Sequence, residues 1–446
     1  MPHMIELMEN LEMKNSILVG ASVLALAFSA PAFGQAQVSE IDQTGNANAA
    51  TVQQNGNENL SDIDQVGNNN TAEVTQLTDP AGSPNFNTAS NDSTINQTGE
   101  FNSATVDQEN NNQFAQPNTV VINQNGTGTA VAEANVADAT QFGDSNTTNI
   151  DQGVVGLATG DSNSATTNQS GRLNVIDLTQ LNDGATASVS QSGLSNTSTS
   201  SQGRPTTVTG LQTTDQSLIV DQNGEGNTST IDQRGGTNYA NVFQDGNDNT
   251  STINQPGFDN DVGAMMMVGV NQIGDDNEST ITQTANFGLV TVDQIGNNLT
   301  STVSQRGRAN NSVVDVDQSG SFNTSTVTQD APSPANGGPA RGMTANVTQA
   351  GTMNESTIDQ TNTLGAPEFS DNLASVDQSG SLNVSEISQN GHENTASVTQ
   401  EGLDSDSFVT QLGNENTATV TQSGAFDMST VTQTGNGNTA TVTQGS

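Results

Sequence analysis

Apolar residues are sparse along this chain, but they are not scattered. One Val or Ile returns every eleven residues, at Ile41, Val52, Ile63 and Val74 near the start and at Val409, Val420, Val431 and Val442 near the end. Around each of them small and amide residues hold fixed places. Asn48, Ala50, Val52, Gln54 and Gly56 stand two apart, and so do Asn59, Ser61, Ile63, Gln65 and Gly67. A step of two keeps residues on one face of an extended strand. Between Gly56 and Asn59 the step is three, and an odd step needs a corner. Gly supplies the positive φ of a tight arc, and the Asn that follows can hydrogen-bond the turned backbone. Each unit therefore reads as one short strand and one arc. Asn, Ala or Ser, Val or Ile, and Gln face inward; Thr, Ser, Asp and Asn face outward.

A fixed short period over a whole chain is the signature of a stacked repeat. Each strand offers one sizeable apolar residue, which fills the space between two strands about 10 Å apart but not a triangular coil. The pattern predicts an all-β fold, a cross-β β-solenoid of about thirty-three eleven-residue units with two strands, about 22 residues, per turn. About sixteen turns at ~4.8 Å make a rod of ~8 nm. Its core is too thin to hold it alone. Continuous backbone ladders and stacked Gln and Asn side chains must contribute the rest. The candidate self-assembly ladder is Val52, Gln54, Gly56, Asn59, Ile63, Gln65, Gly67 and Asn70 at one end. At the other it is Val398, Gln400, Gly402, Val420, Gln422, Gly424, Val431, Gln433, Gly435, Asn438, Val442 and Gln444.

The register is interrupted near residues 77–90, 109–121, 153–161, 203–217, 261–269, 330–345 and 361–373. Insertions in a solenoid map to loops at its corners, so these read as bulging loops, not domain boundaries. The run Met265-Met266-Met267 falls in one of them and reads as a packed loop or edge strand.

Composition changes the picture in two ways. Only 30% of residues are hydrophobic and 3% aromatic, with Tyr239 the one tyrosine, and by composition alone such a chain belongs with disordered proteins; the periodicity argues otherwise. The net charge is −41, which argues against nucleic acid and anionic membrane as partners, since phosphate binding needs clustered cations. Without Cys there is no disulfide framework and no thiolate metal site.

The pattern assigns no catalytic, cofactor-binding or metal-ligating residue, no small-molecule substrate and no enzymatic activity. Beyond the first residues the one histidine, His392, reads as a solvated turn residue, and Asp pairs such as Asp275-Asp276 as solubilising charge. Outward Asp42, Asp64, Asp107, Asp151, Asp221 and Asp232 read as charges that keep monomers apart, with weak cation bridging as the alternative. Thr pairs at 228 and 230, 250 and 252, 300 and 302, 324 and 326, 417 and 419, and 439 and 441 suggest an ice-binding array, read as interrupted by Asp, Glu and loops. Asn-x-Ser/Thr triplets follow from the repeat, with their Asn inward.

The amino terminus is a separate object. Residues 1–34 read as a secretory signal peptide, with Lys14 before an apolar run from Ile17 to Phe28 and small residues at Ala30 to Gly34. That run is too short to span a bilayer. Met13 is a more natural start than Met1. Residues 35–446 form the repeat array.

The phrase Ser-x-Ile-x-Gln-x-Gly-x-x-Asn-x-Ala-x-Val-x-Gln closely resembles the curlin repeat of curli major subunits, which are bacterial extracellular functional amyloids. Residues 394–402 and 416–424 carry it well. The resemblance covers almost the whole array. It implies a secreted subunit that forms fibres at the bacterial cell surface for biofilm matrix and adhesion. Its implied partners are itself, a nucleator subunit and an outer-membrane secretion pore. The array is several times longer than the five-repeat chain it resembles, and no targeting segment separates the leader from Val38. Residues 410–446 carry no Lys or Arg, so a major, structural role fits better than the nucleating one.

Two functions stay open. The first is this homopolymer. The second is a monomeric extracellular β-solenoid acting as adhesin or ice-binding protein. Polar end caps would favour the second, and the sequence leaves a repeat strand near each end.

Overall fold

The computed structural model describes residues 37–445 apart from 57, 79–89, 111–115, 127–133, 154–161, 182, 204–215, 257–265, 286, 308, 332–339 and 362–370. The stretch 1–34 read as a signal peptide lies outside these residues, as do most of the insertions. The described chain is all-β and consists of two long parallel sheets of 16 strands each, with a small two-stranded ladder, Ala309–Asn310 with Ala340–Arg341, beside them.

Successive long strands alternate between the sheets. Val38–Thr44 belongs to the first sheet, Ala49–Asn55 to the second, Leu60–Asn68 to the first again. Within a sheet each strand lies parallel and in register on the one before it. Val38 pairs with Leu60, Ile41 with Ile63 and Gln43 with Gln65. Across the residues 79–89 the register jumps in number but not in kind, because Ile63 pairs with Ile95 and Gln65 with Gln97. Insertions therefore fall between strands and leave both ladders intact.

The in–out alternation is as read from the sequence. Leu60–Asn68 buries Ser61, Ile63 and Gln65 and exposes Leu60, Asp62 and Asp64. The core is one continuous file per sheet. In the first sheet its large residue is mostly Ile, as at Ile63, Ile95, Ile122 and Ile150, and in the second mostly Val, as at Val74, Val106 and Val189. The small inward residue differs too: Ser in most of the first sheet, Ala in most of the second. β-branched residues suit this pleated, half-buried setting.

One reading is corrected. Met266 and Met267 are neither loop nor edge strand. They open Met266–Ile273, an interior strand of the second sheet that pairs with Tyr239 and Ala240 on one side and Leu289 and Val290 on the other. The run serves as strand because its backbone continues the in-register ladder of the strands on either side. Met265 lies outside the described residues.

Candidate functional site

The inward glutamines build two ladders, one at the end of each sheet's strands. In the first sheet Gln43 Nε2 donates to Gln65 Oε1 at 2.6 Å, Gln65 to Gln97 at 2.7 Å, and so on to Gln411 and Gln433 at 2.9 Å. In the second sheet the chain runs from Gln54 to Gln76, through Gln400 to Gln422, and on to Gln444, each at 2.9 Å. Most of these amides also reach across the thin core to the carbonyl where the opposite strand begins: Gln65 Nε2 to Ala49 O at 3.1 Å, Gln422 to Asp406 O at 3.0 Å, Gln433 to Thr417 O at 2.9 Å. Gln422 and Gln444 thus stack on one another, whereas Gln433 belongs to the opposite ladder.

A consequence of this chain of donors is polarity. Every Nε2 points to the next coil toward the carboxyl end. The first rung, Gln43 and Gln54, offers amide oxygens outward. The last rung, Gln433 and Gln444, offers N–H groups.

The arcs carry the second set of amides. Asn70 N donates to Asn48 Oδ1 at 3.0 Å, and Asn91 N to Asn59 Oδ1 at 3.1 Å. Many Asn side chains also hold their own arc, as Asn59 Nδ2 does on Asn55 O at 3.1 Å, and others donate only to the next coil, as Asn70 Nδ2 does to Gly99 O at 2.9 Å. Near the carboxyl end Asn438 stacks on Asn416 at 2.8 Å. Val52, Ile63, Val398, Val420 and Val431 lie in the core. Val442, on the outermost strand, is only partly covered.

The glycines act as expected at Gly56, Gly67 and Gly435, where φ is 105, 123 and 100°. Gly402 and Gly424 differ, since neither has a positive φ. At Gly402 the reason is space: a Cβ there would run into the carbonyl oxygen of Gly424 in the next coil. Sequence reading missed a further position. Many arcs place a second residue in the left-handed region, just before the Asn: Glu58, Asn69, Ser145, Asp248 and Phe322 are examples, with φ of 54 to 58°. No single residue type dominates there, with Phe, Ser, Asn, Asp and Glu all used, so the sequence carries no clear signal for it.

Other expectations can be placed. His392 is half-buried, not fully solvated, and its N–H donates to Asn414 Oδ1 at 3.2 Å. Its Nδ1 has no partner among the described residues. Of the outward aspartates named above, the register sets Asp42 beside Asp64 and Asp107, Asp151 and Asp221 next to uncharged residues such as Thr140, Thr179 and Phe243, while Asp232 accepts from Arg234 Nε at 2.9 Å. Among the described residues no three His, Cys, Asp or Glu converge to hold a metal ion. Asp92, Asp138, Asp177, Asp317 and Asp359 are pushed above the ordinary aspartate value of 3.8, first by burial and then by neighbouring carboxylates such as Asp62, Asp107 and Asp151.

The threonine array is less interrupted than its sequence suggests. Thr199, Thr230, Thr252, Thr280, Thr302, Thr326 and Thr357 pair in unbroken succession on the outer face of the first sheet. The insertions that separate them in sequence lie at the edges, and Glu278 interrupts only the flanking file. The pairs at 417 and 419 and at 439 and 441 belong to the second sheet.

Two parallel sheets, a one-residue-deep core and continuous amide ladders define a structural repeat protein of the β-solenoid kind. The Curlin associated repeat family matches at residues 45–77, 224–257, 274–307, 370–402, 386–413 and 413–445. These six matches along the chain mark it as a curlin-repeat protein, and curlin repeats suggest a structural subunit of the curli type. No curated protein matches it.

Proposed function

We propose that this chain is secreted and polymerises end to end into an extracellular curli-like amyloid fibre that serves biofilm matrix and adhesion. The observation that carries this reading is the pair of polar glutamine ladders reaching both outermost rungs. Among the described residues the strands Met428–Thr434 and Thr439–Gln444 have a neighbour on one side only. Unpaired strand edges template another chain. A second copy fits them in register. Its Ser39, Ile41 and Gln43 continue Ser429, Val431 and Gln433; its Ala50, Val52 and Gln54 continue Ala440, Val442 and Gln444. The amide donors of one rung then meet the amide oxygens of the other. The acids Glu40 and Asp42 of the incoming copy fall over Thr430 and Thr432, so no like charges meet. Export through an outer-membrane pore and initiation by a nucleator subunit belong to the same reading.

The array proposed for this role is about thirty-three units of eleven residues, two to a coil. The purified array should yield unbranched, dye-binding fibres with a meridional spacing of ~4.8 Å. A monomer that persists in light scattering for days at high concentration would sink the proposal. One observation favours the alternative of an ice-binding monomer, the unbroken file of seven threonines. Thermal hysteresis without fibres would decide for it.

A further inference from the structure

The arcs that lead from second-sheet strands to first-sheet strands stack into one edge, and that edge changes character along its length. In mid-chain its left-handed residues are Gly226, Asp248, Asp276 and Asn298, types that tolerate the conformation. Farther on they are Phe322, Met353, Leu382 and Phe426, with φ of 57 to 62°. Asp404 interrupts them, with Leu403 exposed beside it. These apolar side chains are 52, 51, 45, 71 and 44% exposed, taking Leu403 last. The strands before them, Val313–Ser321, Thr344–Thr352, Leu373–Ser381, Thr395–Gln400 and Thr417–Gln422, are consecutive neighbours in one sheet. Phe322, Met353, Leu382, Asp404 and Phe426 therefore line up at ~4.8 Å intervals, with Leu403 one residue to the side, beside Ser381 and Ala425. Their arcs are tied together: Met353 N donates to Ser321 O at 3.0 Å, Leu382 N to Thr352 O at 3.0 Å, Phe426 N to Leu403 O at 2.9 Å.

Two compromises coincide on this ridge. A bulky side chain in the left-handed region is sterically disfavoured, although Asn or Gly would serve. Large apolar groups are also left half in water. Upstream on the same edge, among the described residues, only Leu173 combines them. Backbone compromise gathered in one place points to a use for that place, and aligned exposed apolar groups mark contact surfaces.

We infer that the ridge is a lateral docking strip for a second copy of this chain, used when two fibres lie side by side. The inference rests on the fibre reading above. Five half-exposed side chains supply on the order of a few hundred Å², well below the ~1,000 Å² that a stable pair needs. Single chains will not pair through it. Along a fibre the strip recurs once per subunit, so many weak contacts act together, and the partner that repeats at the same interval is another fibre of this chain. The net charge of −41 opposes lateral approach of two fibres over the rest of the surface, which confines their contact to the apolar strip.

The test is the quadruple variant Phe322→Asn, Met353→Asn, Leu382→Asn and Phe426→Asn. Asn accepts the left-handed conformation, so the fold is not put at risk. Growth is followed by dye fluorescence, bundling by negative-stain width and low-speed sedimentation, and stability by thermal circular dichroism. The variant should elongate like the wild type but remain as single filaments, with loss of the low-speed pellet. Bundles as wide as wild type would overturn the strip while leaving the fibre reading intact. A lowered melting temperature with unchanged bundles would mean that the ridge only braces its own coils. Loss of adsorption to alkyl-coated beads with unchanged bundles would give the strip another occupant. A wild-type chain that forms no fibres would overturn both.

Discussion

The two edges of the solenoid are built from the same repeat and have diverged. Both carry an unbroken glutamine ladder, but one keeps more of its asparagines and gives them up only at Leu299, Ser405 and Asp427. On the edge leading from the second sheet to the first, Asn59, Asn91, Asn118, Asn146, Asn174, Asn196, Asn227, Asn249 and Asn277 follow one another without a gap. On the opposite edge the ladder runs as far as Ala185, whose N–H donates to Asn163 Oδ1 at 3.0 Å. Gln216, Gly288, Ser312 and Met343 then hold Asn places until Asn372 and Asn394 resume the ladder. Beyond Val136 all the longer undescribed segments lie on this second edge.

The difference teaches which ladder depends on the arc. A glutamine bonds to the next coil and to the start of the facing strand, neither of which changes when the arc lengthens. An asparagine sits in the arc itself and caps its carbonyl, as Asn196 Nδ2 caps Ser192 O at 3.1 Å. It loses that role when the arc changes shape. An arc can still close over an insertion: Asn91 Nδ2 reaches Leu77 O at 3.1 Å.

The largest effect should come from breaking what the edges share. Gln422→Glu, Gln433→Glu and Gln444→Glu together place carboxylates in both ladders at the carboxyl end. Each ionised, unpaired group there costs several kcal/mol or must take up a proton. Elongation from that end should stop near pH 7 and recover partly near pH 4. The outward triple Thr421→Glu, Thr432→Glu and Thr443→Glu should still polymerise. Equal slowing of both triples in a seeded growth assay would contradict the division into ladder and surface.

A smaller effect should separate the edges. Asn227 accepts from Asn249 N and Nδ2 at 3.1 Å and donates to Asn223 O and Gly246 O at 3.1 and 2.8 Å. Asn238, on the irregular edge, donates to Gln255 O at 3.4 Å. Asn227→Ala should cost about 1–3 kcal/mol by denaturant unfolding, and Asn238→Ala less than about 1. Equal losses would mean that the two asparagine positions are equivalent.

The smallest effect should leave the comparison untouched. The aspartates with raised values, Asp92, Asp138, Asp177, Asp317 and Asp359, lie on strands of both faces. A carboxyl whose folded value lies above its unfolded one favours the fold in its protonated form. That stability is fully present below the unfolded value, about 4, and is lost as pH rises through the raised folded values. Thermal melts should therefore be higher near pH 3–4 than near pH 7, with the gap between Asn227→Ala and Asn238→Ala unchanged. A melting temperature that rises from pH 4 to 7 would reverse the sign argued here.

The alternation of faces was legible from the sequence because it is a local property: side chains two apart share a face whatever the chain does next. Val52, Gln54, Ile63 and Gln65 could thus be set inside before any contact was known. The corner glycines were legible in part, since Gly67 needs its positive φ but Gly402 needs room for the carbonyl of Gly424. Everything decided between coils was out of reach. The spatial neighbour of a residue is one coil away, and the number of residues in that coil varies with the insertions, from Thr228 over Thr250 to Thr186 over Ser217. Only register in three dimensions sets Thr199 through Thr357 in one file, puts the longer insertions beyond Val136 between strands of one edge, gives both glutamine ladders one direction, and lines up Phe322, Met353, Leu382 and Phe426 on the other edge. A period determines what each strand hides; stacking determines what the surface repeats.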